Sequence, residues 1–263
     1  MSLKFPNKIN PTTEFSNLIS KGITRYPKYS ISTKKVAYHE DNLVELSSTN
    51  LGIIKTEISR NDMYKFNFAK MVYDSFVGTP LYRTRDFYVA ILRIIDFENS
   101  TQILRFNRID FYNIIDYIMK DEPMFYARLG SGDSKLVEDI TGVCSKQLLS
   151  FASKICKFLN NLMFGKDDYF IYDYYVVNIL AYYLDWHRSN NTANYKSIIS
   201  SFTDKEVENI LNGKNYKNFY TLMESLNNLV KTTGSTFSRD DLDKIMWYCY
   251  RSFDISENNI HYI

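Results

Sequence analysis

The segment from Leu148 to Leu180 constrains the fold of this chain most strongly, because two helical patterns meet in it across a short polar break. The first pattern, LLSFASKICKFLNNLM, repeats apolar residues at helical spacing and carries Lys154 at the edge of its apolar face. After the break GKDD and the run YFIY, Asp173 stands where an N-cap is expected before YYVVNILAYYLDWH. The segment therefore predicts two consecutive helices, with a lysine on the first and an aspartate at the start of the second.

Helical spacing continues through most of the chain, with polar, glycine or proline breaks between the periodic stretches. The pattern predicts helices capped by Asn61 or Asp62 and by Asp133 or Ser134, and others over Thr84–Phe97, Asp110–Lys120, Leu148–Met163, Asp173–His187, Asp204–Leu211, Asn218–Lys231 and Ser238–Ser252. Pro123 is expected to end the helix before it, and Ser238 with Asp241 resembles a capping box. The fold class predicted is all-α, as a multi-helical globular protein.

The first 60 residues follow a different pattern. Residues 1–35 are polar and contain three prolines, which is typical of an irregular arm. The runs LVELSS and GIIKTEIS, within Val44–Ser59, predict a short β-hairpin. Residues 61–263 are expected to form the helical domain, either as one core or as two lobes with a cleft near residues 140–190.

Composition and charge give no indication of a metalloprotein, a secreted protein or a membrane-spanning protein. A net charge of +2 is too small to indicate a nucleic-acid-binding protein by itself. Three scattered cysteines without a CxxC pair, and histidines without ligand spacing, give no sign of a metal site. There is neither a secretion signal nor an apolar run of membrane-spanning length, and reduced thiols fit a cytoplasmic protein. The aromatic content of 16% suits either core packing or stacking on bases.

Lys154 and Asp173 each have a structural and a chemical interpretation. The Lys154 stem can cover apolar surface while its ammonium reaches water, or its amine can serve as a nucleophile. Asp173 can act as a plain N-cap, or its fixed negative charge can stabilise a sugar that becomes cationic in a transition state. Because the two residues flank one turn between consecutive helices, they are expected to face a common cleft.

The order of a lysine in FASKICKFL, an aspartate 19 positions later in FIYDYYVVNIL and a following helix resembles the helix-hairpin-helix DNA glycosylases, in particular a divergent bacterial relative of the 8-oxoguanine type. The C-terminal DDLDKIMWYCYR also resembles the closing helix of bacterial relatives. The hairpin of that family is rich in glycine, whereas residues 145–153 contain none and Gly142 lies upstream. The resemblance covers about Asp110–His187 and, more faintly, the C-terminus.

The resemblance implies a DNA glycosylase, possessing or lacking β-lyase activity, that excises a damaged or modified base without a metal or cofactor. Lys154 matches the Schiff-base nucleophile and Asp173 the catalytic carboxylate of the family. The base would be bound by Phe158, Tyr172, Tyr174 and Tyr175, and DNA phosphates by Arg128, Lys135, Lys146 and Lys157. The alternative is a helical binding protein without catalytic activity, for example a degenerate relative of this fold in a bacterial stress or antiviral system.

Overall fold

The computed structural model describes residues 46–62, 68–99, 101–173, 215–232 and 237–251, together with 176–177, 179–180, 183 and 209. Side chains at 57–62, 229, 231–232 and 247–251 lie outside this description. The described residues form helices and no β-strand, which confirms the all-α class. In chain order the helices are α1 Ser48–Asp62, α2 Phe68–Phe76, α3 Arg85–Glu98, α4 Ile103–Phe106, α5 Arg108–Lys120, α6 Glu122–Gly130, α7 Lys135–Gly142, α8 Leu149–Phe164, α9 Tyr216–Thr232 and α10 Arg239–Arg251.

The predicted β-hairpin within Val44–Ser59 is wrong, because Ser48–Asp62 forms α1. Leu51 and Ile54 lie one turn apart and are both buried, and α1 packs against α10. An ion pair of 2.6 Å between Lys55 Nζ and Asp241 Oδ1 joins the same two helices. The isoleucines of this segment favour the β-conformation intrinsically, but they adopt the helical one because tertiary packing readily outweighs β-propensity.

Pro123 begins a helix rather than only ending one. The structure places it in the first turn of α6, where the missing N–H of proline leaves no helical hydrogen bond unmade. Asp121 caps this helix by accepting a 3.2 Å hydrogen bond from the backbone N–H of Met124. Helix α6 then continues to Gly130.

Most other predicted boundaries agree with the structure to within about two residues. The capping box at the start of α10 is present: Asp241 N–H donates to Ser238 Oγ at 3.1 Å, and Ser238 N–H donates to Asp241 Oδ2 at 3.2 Å. Asn61 and Asp62, which were predicted as N-caps, are the last residues of α1. The helices predicted over Asp173–His187 and Asp204–Leu211 lie largely outside the described residues, although 176–177, 179–180 and 183 are helical.

The core is centred on α8. Helices α3, α6 and α7 pack against it, and Ala152, Ile155, Cys156 and Leu159 are fully buried there. Within the described residues, no helix is both long and apolar enough to cross a bilayer.

The junction between α6 and α8 provides a stability prediction. A Cβ atom on Gly130, the last residue of α6, would lie 2.7 Å from Cε1 of Phe164, whereas one on Gly142 at the end of α7 would meet nothing within 4 Å. Gly130→Ala should therefore lower the free energy of unfolding by about 1–3 kcal/mol through overpacking. Gly142→Ala should leave it unchanged or raise it by about 0.5–1 kcal/mol. Urea unfolding of both variants checks this, and equal changes would contradict the close approach of Gly130 to the Phe164 ring.

Candidate active site

Gly165 ends α8 and reverses the chain. It adopts the left-handed conformation (φ 63°), which favours glycine. Its N–H donates to the carbonyl of Asn161 at 2.8 Å, which satisfies one of the last carbonyl groups of the helix. The chain that follows, Lys166–Asp173, is called the approach segment here because it leads to Asp173.

The approach segment runs back along α8 without regular secondary structure. Near its start, Asp168 N–H donates to Asn160 Oδ1 at 3.1 Å. Near its end, Tyr172 N–H donates to Ser153 Oγ at 2.9 Å. Because Ser153 lies about two turns before Asn160 on α8, the segment is antiparallel to the helix. It therefore returns Asp173 to the level of Lys154, the neighbour of Ser153.

Side chains of α9 and α10 bind the other side of the approach segment. Since this segment forms neither helix nor sheet, most of its buried backbone groups need side chains to satisfy them. The contacts are Tyr216 OH to the carbonyl of Phe170 (2.7 Å), Tyr220 OH to that of Asp168 (3.2 Å), Arg239 Nη1 to that of Asp167 (2.9 Å) and Ile171 N–H to Asp243 Oδ2 (3.0 Å). The two C-terminal helices thus help to fix the position of Asp173.

Lys154 and Asp173 meet at the end of this segment. The distance from Lys154 Nζ to Asp173 Oδ2 is 3.4 Å, and the two side chains are only 10% and 17% exposed. The Asp173 carbonyl accepts the N–H of Val177 at 2.9 Å, as expected of an N-cap residue at the start of a helix. The structure therefore brings together an amine and a carboxylate between which a proton can pass, at a place where little water reaches them.

The proposed base-binding aromatics differ in their surroundings. Tyr172 is buried and packs edge-to-face on Phe219, with ring centroids 4.9 Å apart. Phe158 is half-buried against the core. Tyr174 and Tyr175 lie outside the described residues. The Tyr172 ring is thus already engaged in the core, and a role of these aromatics in base binding stays a prediction.

Of the four proposed phosphate ligands, two are exposed and two are already paired. Lys135 and Lys146 are exposed, at the start of α7 and in the connection before α8. Arg128 donates to Asp133 Oδ2 and Asp139 Oδ2, both at 2.7 Å. Lys157 is buried among carboxylates. Arg128 and Lys157 are therefore positioned to neutralise acidic groups of the protein itself rather than phosphates of a ligand.

Lys157 is the centre of a charged cluster that the sequence did not predict. Its Nζ lies 2.7 Å from Asp167 Oδ1, 3.3 Å from Asp243 Oδ2 and 3.7 Å from Asp240 Oδ1. Burial alone lowers the pKa of Lys157, but Asp243, Asp167 and Asp240 outweigh it and raise that pKa above its usual value. This group, called the Lys157 cluster below, joins α8, the approach segment and α10.

By sequence alone, Asp240, Asp241 and Asp243 suit the first turn of a helix, which gives no reason to expect the burial of Asp243. The available signal was the position of Asp243 beside Leu242 and Met246 on the apolar face of α10, which places its carboxylate in the core. Among the described residues, no group of histidine, cysteine or acidic side chains is arranged to hold a metal ion.

The connection between α7 and α8, residues 143–148, is anchored by side chains of α5. Asp110 is almost fully buried and accepts 2.8 Å hydrogen bonds from both the N–H and the hydroxyl of Ser145. Asn113 donates to the carbonyl of Val143 at 3.3 Å. Polar side chains of a neighbouring helix thus hold this connection in place.

No protein-family model, curated protein or solved structure matches this chain. Functional inference therefore rests on the residues of the site and on their geometry.

Proposed function

We propose that this protein is a DNA glycosylase with β-lyase activity, in which Lys154 is the nucleophile and Asp173 the stabilising carboxylate. The observation that carries the proposal is the 3.4 Å contact between Lys154 Nζ and Asp173 Oδ2 in a largely buried setting. The approach segment and its hydrogen bonds support it, because they fix the carboxylate relative to the amine before any ligand binds. DNA as the partner and a cytoplasmic location are parts of this proposal.

Asp173 would act in the first chemical step. The target nucleotide must leave the base stack, since its sugar C1′ is unreachable within a duplex. The bond between C1′ and the base nitrogen then breaks, and its electron pair leaves with the base. A fixed carboxylate stabilises the positive charge that develops on the sugar, and it does so most effectively where water is scarce.

Lys154 would act in the second chemical step. Asp173 accepts a proton from the Lys154 ammonium, and the freed amine lone pair forms a bond to C1′. The C1′–O4′ bond opens, O4′ takes up a proton, and loss of the remaining amine proton gives a C=N Schiff base. Removal of a proton from C2′ then expels the 3′ phosphate as the C3′–O bond breaks. The strand is nicked, and water releases the lysine.

Borohydride trapping tests the proposal, because the reagent reduces a Schiff base to a stable covalent bond. Duplexes carrying an abasic site, 8-oxoguanine, uracil or a modified cytosine would be incubated with the wild type, with Lys154→Ala and with Lys120→Ala. We expect a protein–DNA adduct with the wild type and with Lys120→Ala, whose lysine is exposed at the end of α5 and belongs to no proposed site. The adduct should fall by at least about a hundredfold in Lys154→Ala, since this variant lacks the nucleophile.

Two outcomes would contradict the assignment, with folding verified by circular dichroism. An undiminished adduct in Lys154→Ala would exclude Lys154 as the nucleophile. Neither adduct nor base release on any substrate would favour the non-catalytic binding protein. The observation that favours this second candidate is the low exposure of Lys154 and Asp173, which also suits a structural ion pair between α8 and the helix that follows the approach segment.

A further inference from the structure

Three arginines on consecutive helices are exposed and have no carboxylate partner among the residues that the structure describes. They are Arg93 on α3, Arg105 on α4 and Arg108 on α5. Other arginines in the described part of the chain do have such partners, for example Arg83 with Glu122 and Arg85 with Asp116. Within the described residues, none of the three lies within 4.0 Å of an acidic oxygen, so this surface carries uncompensated positive charge.

The acidic side chains of α3–α5 mostly bind elsewhere, which explains the imbalance. Asp96 is buried and accepts the backbone N–H groups of Ile103 (2.8 Å) and Leu104 (3.1 Å). Asp110 accepts from Ser145, Asp116 pairs with Arg85, and Glu98 accepts from Phe68 N–H. These carboxylates bind backbone N–H groups, Ser145 and Arg85. Among the described residues they therefore form no ion pair with Arg93, Arg105 or Arg108.

Two of the arginines converge on one tyrosine. Arg93 Nη2 donates to Tyr112 OH at 3.1 Å, and the Arg108 guanidinium carbon lies 5.8 Å from the centre of the Tyr112 ring. The hydrogen bond from Arg93 lowers the pKa of Tyr112 below its usual value, and Arg108 adds to this. Two like charges held this close repel each other, so an anion between them would be bound favourably.

Exposed aromatic rings flank these charges. Phe97, one turn after Arg93 on α3, is 70% exposed, and Phe106, between Arg105 and Arg108 in sequence, is 67% exposed. The Arg105 guanidinium carbon lies 5.0 Å from the centre of the Phe106 ring. Guanidinium groups beside exposed aromatic faces are typical of surfaces that bind single-stranded nucleic acids, since phosphates pair with the charges and bases stack on the rings.

We propose that the arginine patch, formed by Arg93, Arg105, Arg108, Tyr112, Phe97 and Phe106, binds a single strand of nucleic acid. Arg93, Arg108 and Tyr112 bind a backbone phosphate, while Phe106 and Phe97 stack on neighbouring bases. The patch supplies the exposed cations that Arg128 and Lys157 do not provide. The patch adds a strand-binding surface to the proposed function. It consists of residues other than Lys154 and Asp173, so it could bind a strand even if the protein had no catalytic activity.

Fluorescence anisotropy with a labelled thymidine 20-mer, titrated at several NaCl concentrations, tests this proposal. We expect the Arg93→Ala/Arg108→Ala variant to bind at least about tenfold more weakly than the wild type. The slope of log K against log salt should become shallower by roughly 0.7, which corresponds to one lost phosphate contact on a single strand. Phe106→Ala should weaken binding about tenfold without changing that slope, because stacking releases no counterions.

Arg85→Ala is the matched control, because Arg85 is also an exposed arginine of α3 but is paired with Asp116 at 2.5 Å. It should bind within about twofold of the wild type, since its charge is already compensated. The proposal is overturned if the folded wild type does not bind the strand, or if the double variant binds like the control. It is also overturned if inorganic phosphate competes as well as the oligonucleotide at equal phosphate concentration, which would indicate a simple anion site.

The Lys154→Ala variant in the same titration separates the two proposals. Unchanged strand binding together with lost borohydride trapping would support both. Wild-type strand binding without any trapping or base release would support the arginine patch and contradict the glycosylase. The variant side chains Arg93, Arg108 and Phe106 are exposed, so each variant is expected to fold as the wild type does.

Discussion

Replacing Lys157 with alanine should lower the free energy of unfolding by about 3–5 kcal/mol at pH 8, the cost of removing one partner of a buried ion pair. The Lys157 side chain is 8% exposed, and its ammonium lies between Asp167 at 2.7 Å and Asp243 at 3.3 Å. Without it, Asp243 would either keep an uncompensated charge in the core or take up a proton at a pH where protons are scarce. Urea unfolding followed by circular dichroism measures the loss.

Lys244→Ala is the matched control for Lys157→Ala. Lys244 Nζ lies 2.5 Å from Asp240 Oδ2, so this lysine shares one of the carboxylates of the Lys157 cluster. The side chains of Lys244 and Asp240 are, however, both more than 40% exposed. An exposed i,i+4 pair on a helix contributes about 0.3–0.5 kcal/mol. A similar small loss for both lysines would show that water compensates the charges around Lys157, contrary to its burial.

The Lys157 cluster also shows which contacts a sequence can predict. Lys154 and Asp173 are separated by 19 residues, and their meeting follows from one helix, one glycine turn and a returning segment. Lys157 and Asp243 are separated by 86 residues, so no local pattern joins them. Their contact depends on how α10 docks against α8, which is decided by the whole core rather than by either segment.

The errors in the predicted fold have the same origin. The isoleucines of Ser48–Asp62 favour a strand locally, but burial against α10 makes the segment a helix. Pro123 is compatible both with the end of one helix and with the first turn of another, and only the cap by Asp121 decides between them. The arginine patch was missed because its lack of carboxylate partners becomes visible only when Asp96 and Asp110 are seen to bind backbone and loop groups.

Asp243→Asn should change how stability depends on pH. Burial raises the pKa of Asp243 to about 7, and this effect outweighs the opposing attraction of Lys157 and the N–H of Ile171. In the unfolded chain the same carboxyl loses its proton near its ordinary value of 3.8. Between these two values the folded protein binds more protons than the unfolded chain, so this group's contribution to stability is complete below pH 4 and is lost as the pH rises through 7.

Between pH 4 and pH 8, the contribution of Asp243 to the free energy of unfolding should fall by about 4 kcal/mol, taken at 1.36 kcal/mol for each unit between the two pKa values. Asparagine carries no proton that titrates, and its carbonyl oxygen can still accept from Ile171 N–H. The difference in unfolding free energy, wild type minus Asp243→Asn, should therefore fall as the pH rises over this range. A difference that instead grows with pH would mean that the attraction of Lys157 outweighs burial. Asp243 would then hold the approach segment as a permanent anion, stabilised by Lys157 and by the N–H of Ile171.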